Sequence, residues 1–289
     1  MAQTAAVDGV DEDQALMLRE VGGDVDAARF VYGNDFSAAQ RQGRSNGPRG
    51  HGELAGAADS MCPFHYRVVV DALPDGTRAA RFPTRSEQDG GGRWYCWFQS
   101  YVCGRGALLG EVTAWRWTVI VPTAVELTTR CSYYENRYLA SIGKENVENH
   151  LGVRFDGPER VVWTRGVGDS EDVIDALPLG TRLVGGERLQ LTLGVHIGSG
   201  RTALAVREDR RGIAVSAAGP ETDLTRADCV VVASAGNHLD SDDDPSRFFR
   251  IADVRVLQTR LGQPSSSKGK PRDVRDMFGD GVVPPVARR

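Results

Sequence analysis

Residues 111–121 read EVTAWRWTVIV and decide the fold. Large apolar residues recur at every second position, a period of two that is typical of a β-strand with one side turned toward a core. Pro122 follows and ends the strand, because proline cannot donate to a sheet ladder. The side predicted to face the core carries Thr113, Trp115, Trp117, Val119 and Val121.

Stretches with a similar strand-like residue pattern precede and follow this strand. Their connectors are rich in Gly, Asp and Pro, and no amphipathic helix of about twelve residues separates them. This spacing predicts an all-β fold, an antiparallel sandwich, and argues against a parallel sheet wrapped by helices. The other predicted strands are 65–72, 78–82, 93–103, 151–155, 160–164, 188–196, 202–207, 212–217, 229–233 and 248–258.

Composition excludes several classes of protein. The 289 residues carry a net charge of -4, which argues against general electrostatic binding of nucleic acid. No run of about 18 apolar residues is present, so we expect no membrane span. The first residues, MAQTAAVDGVDEDQ, lack the basic and apolar regions of a secretory signal, which predicts a virion or cytoplasmic location unless a signal was removed.

Changes in residue composition and periodicity along the chain divide it into three parts. Residues 1–29 are predicted as an acidic N-terminal arm with one short helix at 11–21, capped by Asp11 and ended by Gly22 and Gly23. Residues 30–261 hold the strands, with a polar loop at 40–58. Residues 262–289 lose all periodicity and are predicted as a tail. We expect other protein subunits to bind these two extensions.

The five cysteines are an odd number without a C-x-x-C pair. This pattern is typical of neither a zinc site nor a disulfide framework. It predicts reduced thiols that pack as small apolar groups.

Three segments together resemble the concanavalin-like jelly-roll sandwiches of legume-type lectins, laminin G-like modules and polysaccharide lyases. They are 77–93 (TRAARFPTRSEQDGGGR), 112–122 (VTAWRWTVIVP), and 187–207 (ERLQLTLGVHIGSGRTALAVR) with 248–257. The resemblance implies a jelly-roll β-sandwich in which the last strand returns beside the N-terminal one. The resemblance supports a fold, whereas a function has to be inferred from the candidate site residues.

The lyase members imply one candidate function. They act by β-elimination, in which a His or Tyr base removes a proton beside a uronate carboxylate that Arg, Gln or Asn neutralises. The fragment RSE at 85–87 resembles an Arg-x-Glu element of alginate-type lyases, but the chain has no Gln-x-His. The candidate lyase residues are Arg85, Glu87, Tyr134, Arg137 and His196; the alternative for His196 is a histidine with satisfied hydrogen bonds in the core or at a sheet edge.

Residues 133–138, YYENRY, suit a sugar-binding surface. Aromatic rings stack on pyranose faces, and Arg or Asn bridges hydroxyls. On a strand, Tyr134, Asn136 and Tyr138 would share one face, with Arg137 between them, and Trp94 is a further candidate. The alternative is an ordinary aromatic strand with one side in the core.

An acidic stretch, LDSDDDPS at 239–246, is a candidate Ca²⁺ site. Carboxylate oxygens at this density are ligands that Ca²⁺ accepts, and many jelly-roll sandwiches carry this ion. The twelve-residue calcium loop is missing, so a solvated acidic loop is the alternative. The candidate ligands are Asp240, Asp242, Asp243 and Asp244.

The two terminal extensions and the missing acid/base motif favour a non-enzymatic role. We therefore predict a structural or decoration subunit of a phage-like particle that also binds glycans. The alternative is a polysaccharide lyase or other carbohydrate-active enzyme acting on a uronate-containing polymer.

Overall fold

The computed structural model describes residues 10–37, 50–52, 69–81, 100–103, 112–123, 138–144, 151–165, 172–224, 227–232 and 249–259, and for 100–103, 138–144 and 227–232 it describes the backbone. Within these ranges there is one helix and there are fourteen strands. None of this helical structure is long and apolar enough to cross a membrane. The elements are α1 (Glu12–Glu20), β1 (Arg29–Asn34), β2 (Val69–Ala72), β3 (Arg78–Arg81), β4 (Ser100–Cys103), β5 (Val112–Ile120), β6 (Tyr138–Lys144), β7 (Leu151–Phe155), β8 (Arg160–Arg165), β9 (Asp172–Pro178), β10 (Arg188–His196), β11 (Arg201–Glu208), β12 (Ile213–Ala218), β13 (Ala227–Val232) and β14 (Arg250–Gln258).

The strands form two antiparallel sheets. The eight-stranded sheet has the order β12-β11-β10-β5-β14-β3-β2, with β1 also paired to β14, and the six-stranded sheet has the order β4-β13-β6-β7-β8-β9. Their inner faces share one hydrophobic core. The predicted all-β antiparallel sandwich is therefore confirmed.

The tryptophan side of β5 lies in that core, as predicted. Trp115 and Trp117 are fully buried, and the register places them opposite Leu193 and Leu191 of β10. Trp163 of β8 contributes a third buried indole from the six-stranded sheet. Burial of each such side chain stabilises the fold by a few kcal/mol, on the order of 1.5–3.

Strand β14 closes the eight-stranded sheet. One of its edges pairs with β5, while the other pairs first with β3, at Ile251 opposite Ala80, and then with β1, from Val254 opposite Asn34 onward. A bulge at Asp253 (φ 52°) marks the change of partner, and Asp is one of the residues that tolerate this left-handed backbone. The last strand does return beside the N-terminal one, as the resemblance implied.

The predicted helix is present as α1. Asp11 caps it, since its Oδ1 accepts a hydrogen bond from the backbone N–H of Gln14 at 2.8 Å. At the other end Gly22 takes a positive φ of 83°, and the N–H of Gly23 donates to the carbonyl of Leu18 at 2.7 Å.

Helix α1 packs on the outer face of the eight-stranded sheet. Met17, Leu18 and Val21 are fully buried there, against Val112 and Ala114 of β5. These two residues lie on the side of β5 that points away from the tryptophans, so β5 is covered on both sides.

Polar contacts hold α1 in place. The carboxylate of Asp13 accepts two hydrogen bonds from Arg207 of β11, at 2.7 and 2.8 Å, and this pairing raises the pKa of the Arg207 guanidinium. Asp11 pairs with Arg116 of β5 at 2.9 Å. The described part of the predicted N-terminal arm is thus built into the sandwich of its own chain, while the boundaries at 29/30 and 261/262 stay predictions.

Three strands were not predicted, β1, β6 and β9; β1 (RFVYGN) pairs with β14. Strand β9 (DVIDALP) carries two carboxylates and ends in Pro178, and most of its residues are exposed, so its sequence lacks a clear apolar side. Strand β6 (YLASIGK) mixes small and polar residues without alternation. Both pair through their backbones with strands of stronger pattern, β9 with β8 and β6 with β7 and β13.

Truncating Leu18 tests the packing of α1. Leu18→Ala is expected to lower the free energy of unfolding by about 3 kcal/mol, because it leaves a cavity between α1 and β5. Urea denaturation measures the change. The matched control is Val184→Ala, at an apolar side chain that is 59% exposed, with an expected loss below about 0.5 kcal/mol. Equal losses in the two variants would contradict the packing of α1.

Candidate binding site

The predicted sugar-binding run leads into strand β6. Tyr138 is the first residue of β6, and the register places it opposite Arg154 of β7. Leu151 and Val153 of β7 lie in the core, so the alternate position, Arg154, belongs to the outer face of the six-stranded sheet. The backbone of Tyr138 therefore pairs with an outer-face position of β7, next to a register shift between Tyr138 and Ala140.

Arg154 is held by a network of charges. It is buried, its Nη1 donates to the carbonyl of Phe155 at 3.2 Å, and the same nitrogen lies 3.8 Å from Oδ1 of Asp156. The other carboxylate oxygen of Asp156 pairs with Arg160 of β8. Asp156 is thus a nearly buried carboxylate between two guanidinium groups, one buried and one about half exposed.

The turn between β7 and β8 positions this network. Gly157 takes a positive φ of 68°, which glycine adopts without steric cost. The N–H of Asp156 donates to the carbonyl of Arg160 at 3.1 Å, and Leu183 donates its N–H to the carbonyl of Pro158 at 2.7 Å. The backbone holds the turn from both sides, so the three charged groups are fixed relative to one another.

His196 lies on the other sheet. It ends β10, and its Nδ1 is 2.8 Å from Oγ of Ser199 and 3.2 Å from the carbonyl oxygen of Val21, which caps α1. The ring therefore links the end of the helix to the β10–β11 turn. His196 belongs to the eight-stranded sheet and Tyr138 to the six-stranded one, and the rest of the predicted sugar-binding run lies outside the described residues.

The remaining predicted site residues lie outside the described residues. They are Arg85, Glu87, Trp94, Tyr134, Asn136, Arg137, Asp240, Asp242, Asp243 and Asp244. In the part of the chain that the structure does describe, no group of three or more His, Cys, Asp and Glu residues is placed to hold a metal ion. The glycan, lyase and Ca²⁺ assignments of these residues stay predictions.

Sequence reasoning missed two charged or aromatic groups. The first is the Arg154, Asp156 and Arg160 network; its signal is an arginine within the apolar strand LGVRF. The second lies at the β1 edge, where the ring of Phe30 stacks on His51 with centroids 5.4 Å apart, and the guanidinium of Arg255 sits 5.7 Å from the Phe30 centroid. His51 is distant from Phe30 in sequence, so only the folded chain reveals that contact.

Removing the charge of Asp156 tests the network. Asp156→Asn is expected to lower the free energy of unfolding by about 2 kcal/mol, because it removes the buried carboxylate that lies between two guanidinium groups. Thermal and urea denaturation measure the change.

The matched control for that variant is Glu221→Gln. Glu221 pairs with Arg201 at 3.3 Å, but both side chains are more than half exposed, so the expected change is below about 0.5 kcal/mol. A loss in Asp156→Asn no larger than in this control would show that the network does not stabilise the turn.

Comparisons with known proteins gave matches only among solved structures, since no family model and no curated protein matched. Arcelin-5, a lectin-like defence protein of Phaseolus vulgaris, matches with a TM-score of 0.39 at 8% identity, over 65% of this chain and 89% of its own. Tailspike protein 2 of an Escherichia coli O157:H7 bacteriophage matches with 0.38 at 12%, over 68% of this chain and 25% of its own. The binding domain of botulinum neurotoxin serotype D/C matches with 0.42 at 8%, over 81% and 50%.

All three TM-scores are below 0.5, so the fold is established by the strand pairing of the chain itself.

Proposed function

We propose that this chain is a carbohydrate-binding β-sandwich that contacts sugar through residues 133–138. The observation that carries the proposal is the register of β6 on β7, which sets Tyr138 opposite Arg154 on the outer face of the six-stranded sheet. Tyr138 thus pairs through its backbone with a strand whose Arg154 is buried and held by Asp156. Residues 133–138 themselves carry the aromatic rings, the amide and the guanidinium group that recognise a sugar by ring stacking and hydrogen bonding to hydroxyls.

The fixed backbone around Arg154 supports this proposal. The β7–β8 turn is held by hydrogen bonds on both sides, and the charge network ties Arg154 and Arg160 to one carboxylate. A fixed strand paired with Tyr138, the last residue of the 133–138 run, reduces the conformational entropy that binding would otherwise cost. Arg154 is therefore assigned a positioning role, and the sugar contacts are assigned to Tyr134, Asn136, Arg137 and Tyr138, with Trp94 as a further candidate.

Binding is favoured over catalysis because the chain has no Gln-x-His element and because Nδ1 of His196 is already engaged within its own sheet and helix. A lyase needs its base and its carboxylate-neutralising group at the same sugar unit. His196 instead contacts Val21 and Ser199 on the eight-stranded sheet. The lyase alternative then depends on Tyr134 as base, and the assay below includes it.

The test is a glycan panel that includes uronate-containing polymers, followed by calorimetry on the ligand found. Tyr134→Ala and Arg137→Ala are each expected to weaken binding at least about tenfold, which corresponds to about 1.4 kcal/mol. Tyr134→Phe keeps the ring and is expected to retain most of the affinity. Arg201→Ala, at an exposed arginine of the other sheet, is the matched control and is expected to bind as the unmodified chain does.

Three results of this assay decide between the functions. Binding without product supports the proposal. Ultraviolet absorbance from an unsaturated product, lost in Tyr134→Phe, would replace it with the lyase. Absence of binding across the panel, with and without added Ca²⁺, would overturn it; a requirement for Ca²⁺ that Asp242→Ala abolishes would locate the metal in the acidic stretch.

We also propose that the chain is a structural or decoration subunit of a phage-like particle. The support is the sequence of residues 262–289, which lacks the apolar periodicity of a folded segment, together with the short acidic segment before α1. Residues 10–28 pack on their own chain, so 1–9 and 262–289 are the segments proposed to bind neighbouring subunits.

Light scattering after size-exclusion chromatography tests the subunit role. The full chain is expected to form oligomers, and deletion of 262–289 is expected to reduce the measured mass to that of one chain. Deletion of 1–9 alone is expected to have a smaller effect, since it is the shorter segment. A full chain that is monomeric at all accessible concentrations would contradict the proposal.

A further inference from the structure

We propose that Cys103 and Cys229 form a disulfide when the chain meets a low-molecular-weight disulfide such as oxidised glutathione. Strands β4 and β13 pair antiparallel, and their register sets Cys229 directly opposite Cys103, with Val230 opposite Val102 and Val231 opposite Tyr101. The inference rests on this backbone register and is independent of the proposed function.

The spacing of opposed residues suits a disulfide. In an antiparallel pair, directly opposed Cα atoms are about 4.5 Å apart at non-hydrogen-bonded positions and about 5.5 Å apart at hydrogen-bonded ones. A disulfide joins residues whose Cα atoms are about 4.4–6.8 Å apart. Both spacings fall within that range, so the register of β4 on β13 permits the bond.

The neighbouring strand offers no competing thiol to Cys229. On its other edge β13 pairs with β6, where the register sets Gly143 opposite Cys229. The other three cysteines, Cys62, Cys96 and Cys131, lie outside the described residues. Among the residues whose register is described, Cys103 is thus the partner that the sheet presents.

The proposed reaction is thiol–disulfide exchange. One cysteine thiolate attacks a sulfur of oxidised glutathione, breaking its S–S bond, forming a mixed disulfide and releasing one glutathione thiolate. The second cysteine thiolate then displaces the other glutathione and forms the protein disulfide. The two cysteines lose two electrons and two protons in total, and one oxidised glutathione becomes two reduced ones.

The disulfide would link the edge strand β4 covalently to β13 in the six-stranded sheet. Strand β4 stands at the end of that sheet, and β13 is its only paired neighbour among the described strands. Edge strands are held on one side only, so a covalent link there restrains the strand most free to separate. We expect the oxidised chain to resist denaturant better than the reduced one.

The test uses the full-length chain, incubated with oxidised glutathione or with a reductant, then denatured and alkylated. Intact mass is expected to show five alkylated thiols in the reduced chain and two fewer after oxidation. A tryptic digest without reductant is expected to contain peptide 94–105 linked to peptide 227–247. Cys96 shares the first peptide with Cys103, so the Cys96→Ser variant assigns the bond, and the link is expected to persist in it.

Three further variants complete the design. Cys103→Ser and Cys229→Ser are each expected to abolish the link and the gain in denaturation midpoint, while Cys131→Ser keeps both. Five alkylated thiols in the oxidised unmodified chain, or a link that survives Cys103→Ser, would overturn the proposal. The unmodified chain alone decides the first of these outcomes, so the test holds even if a serine variant folds poorly.

Discussion

The burial of the tryptophan side of β5 is the interaction on which the rest of the structure depends. Trp115 and Trp117 lie between the two sheets, opposite leucines of β10 and in one core with Trp163 of β8. Within the described residues the three indole nitrogens have no hydrogen-bond partner. An unmet donor costs about 1–3 kcal/mol, so the packing of the large rings must exceed that cost. The core is therefore stabilised mainly by the close packing and burial of apolar side chains, and only weakly by polar contacts.

Strand β5 also positions helix α1 on the outer side of its sheet. Its second side carries Val112 and Ala114, which α1 covers, and Arg116, which pairs with Asp11. A β-strand covered on both sides needs small apolar residues where the helix approaches closely. At Gly194 of β10 the helix lies so close to the sheet that a Cβ would be 2.6 Å from the carbonyl oxygen of Met17. The helix and the sandwich are therefore one packing unit.

Strand patterns in the sequence predicted much of the fold and little of the candidate site. Strands β5, β7, β10 and β14 were predicted because apolar side chains set their period, whereas β9 lacks an apolar side and was missed. Arg154 was missed because its partners are set by a turn and by the neighbouring strand β6. Register between distant strands depends on the whole sheet, so neither Tyr138 opposite Arg154 nor Cys103 opposite Cys229 is visible in the sequence.

The change of partner along β14 has a consequence for the order of folding. This strand, near the C-terminal end of the described chain, lies between β5 on one edge and β3 followed by β1 on the other. During synthesis the ribosome must therefore release almost the entire sandwich before the first strand can pair with β14. Contacts between residues so distant in sequence make folding slow, and a nascent chain that stalls before residue 250 would expose the edges of β1, β3 and β5 to other chains.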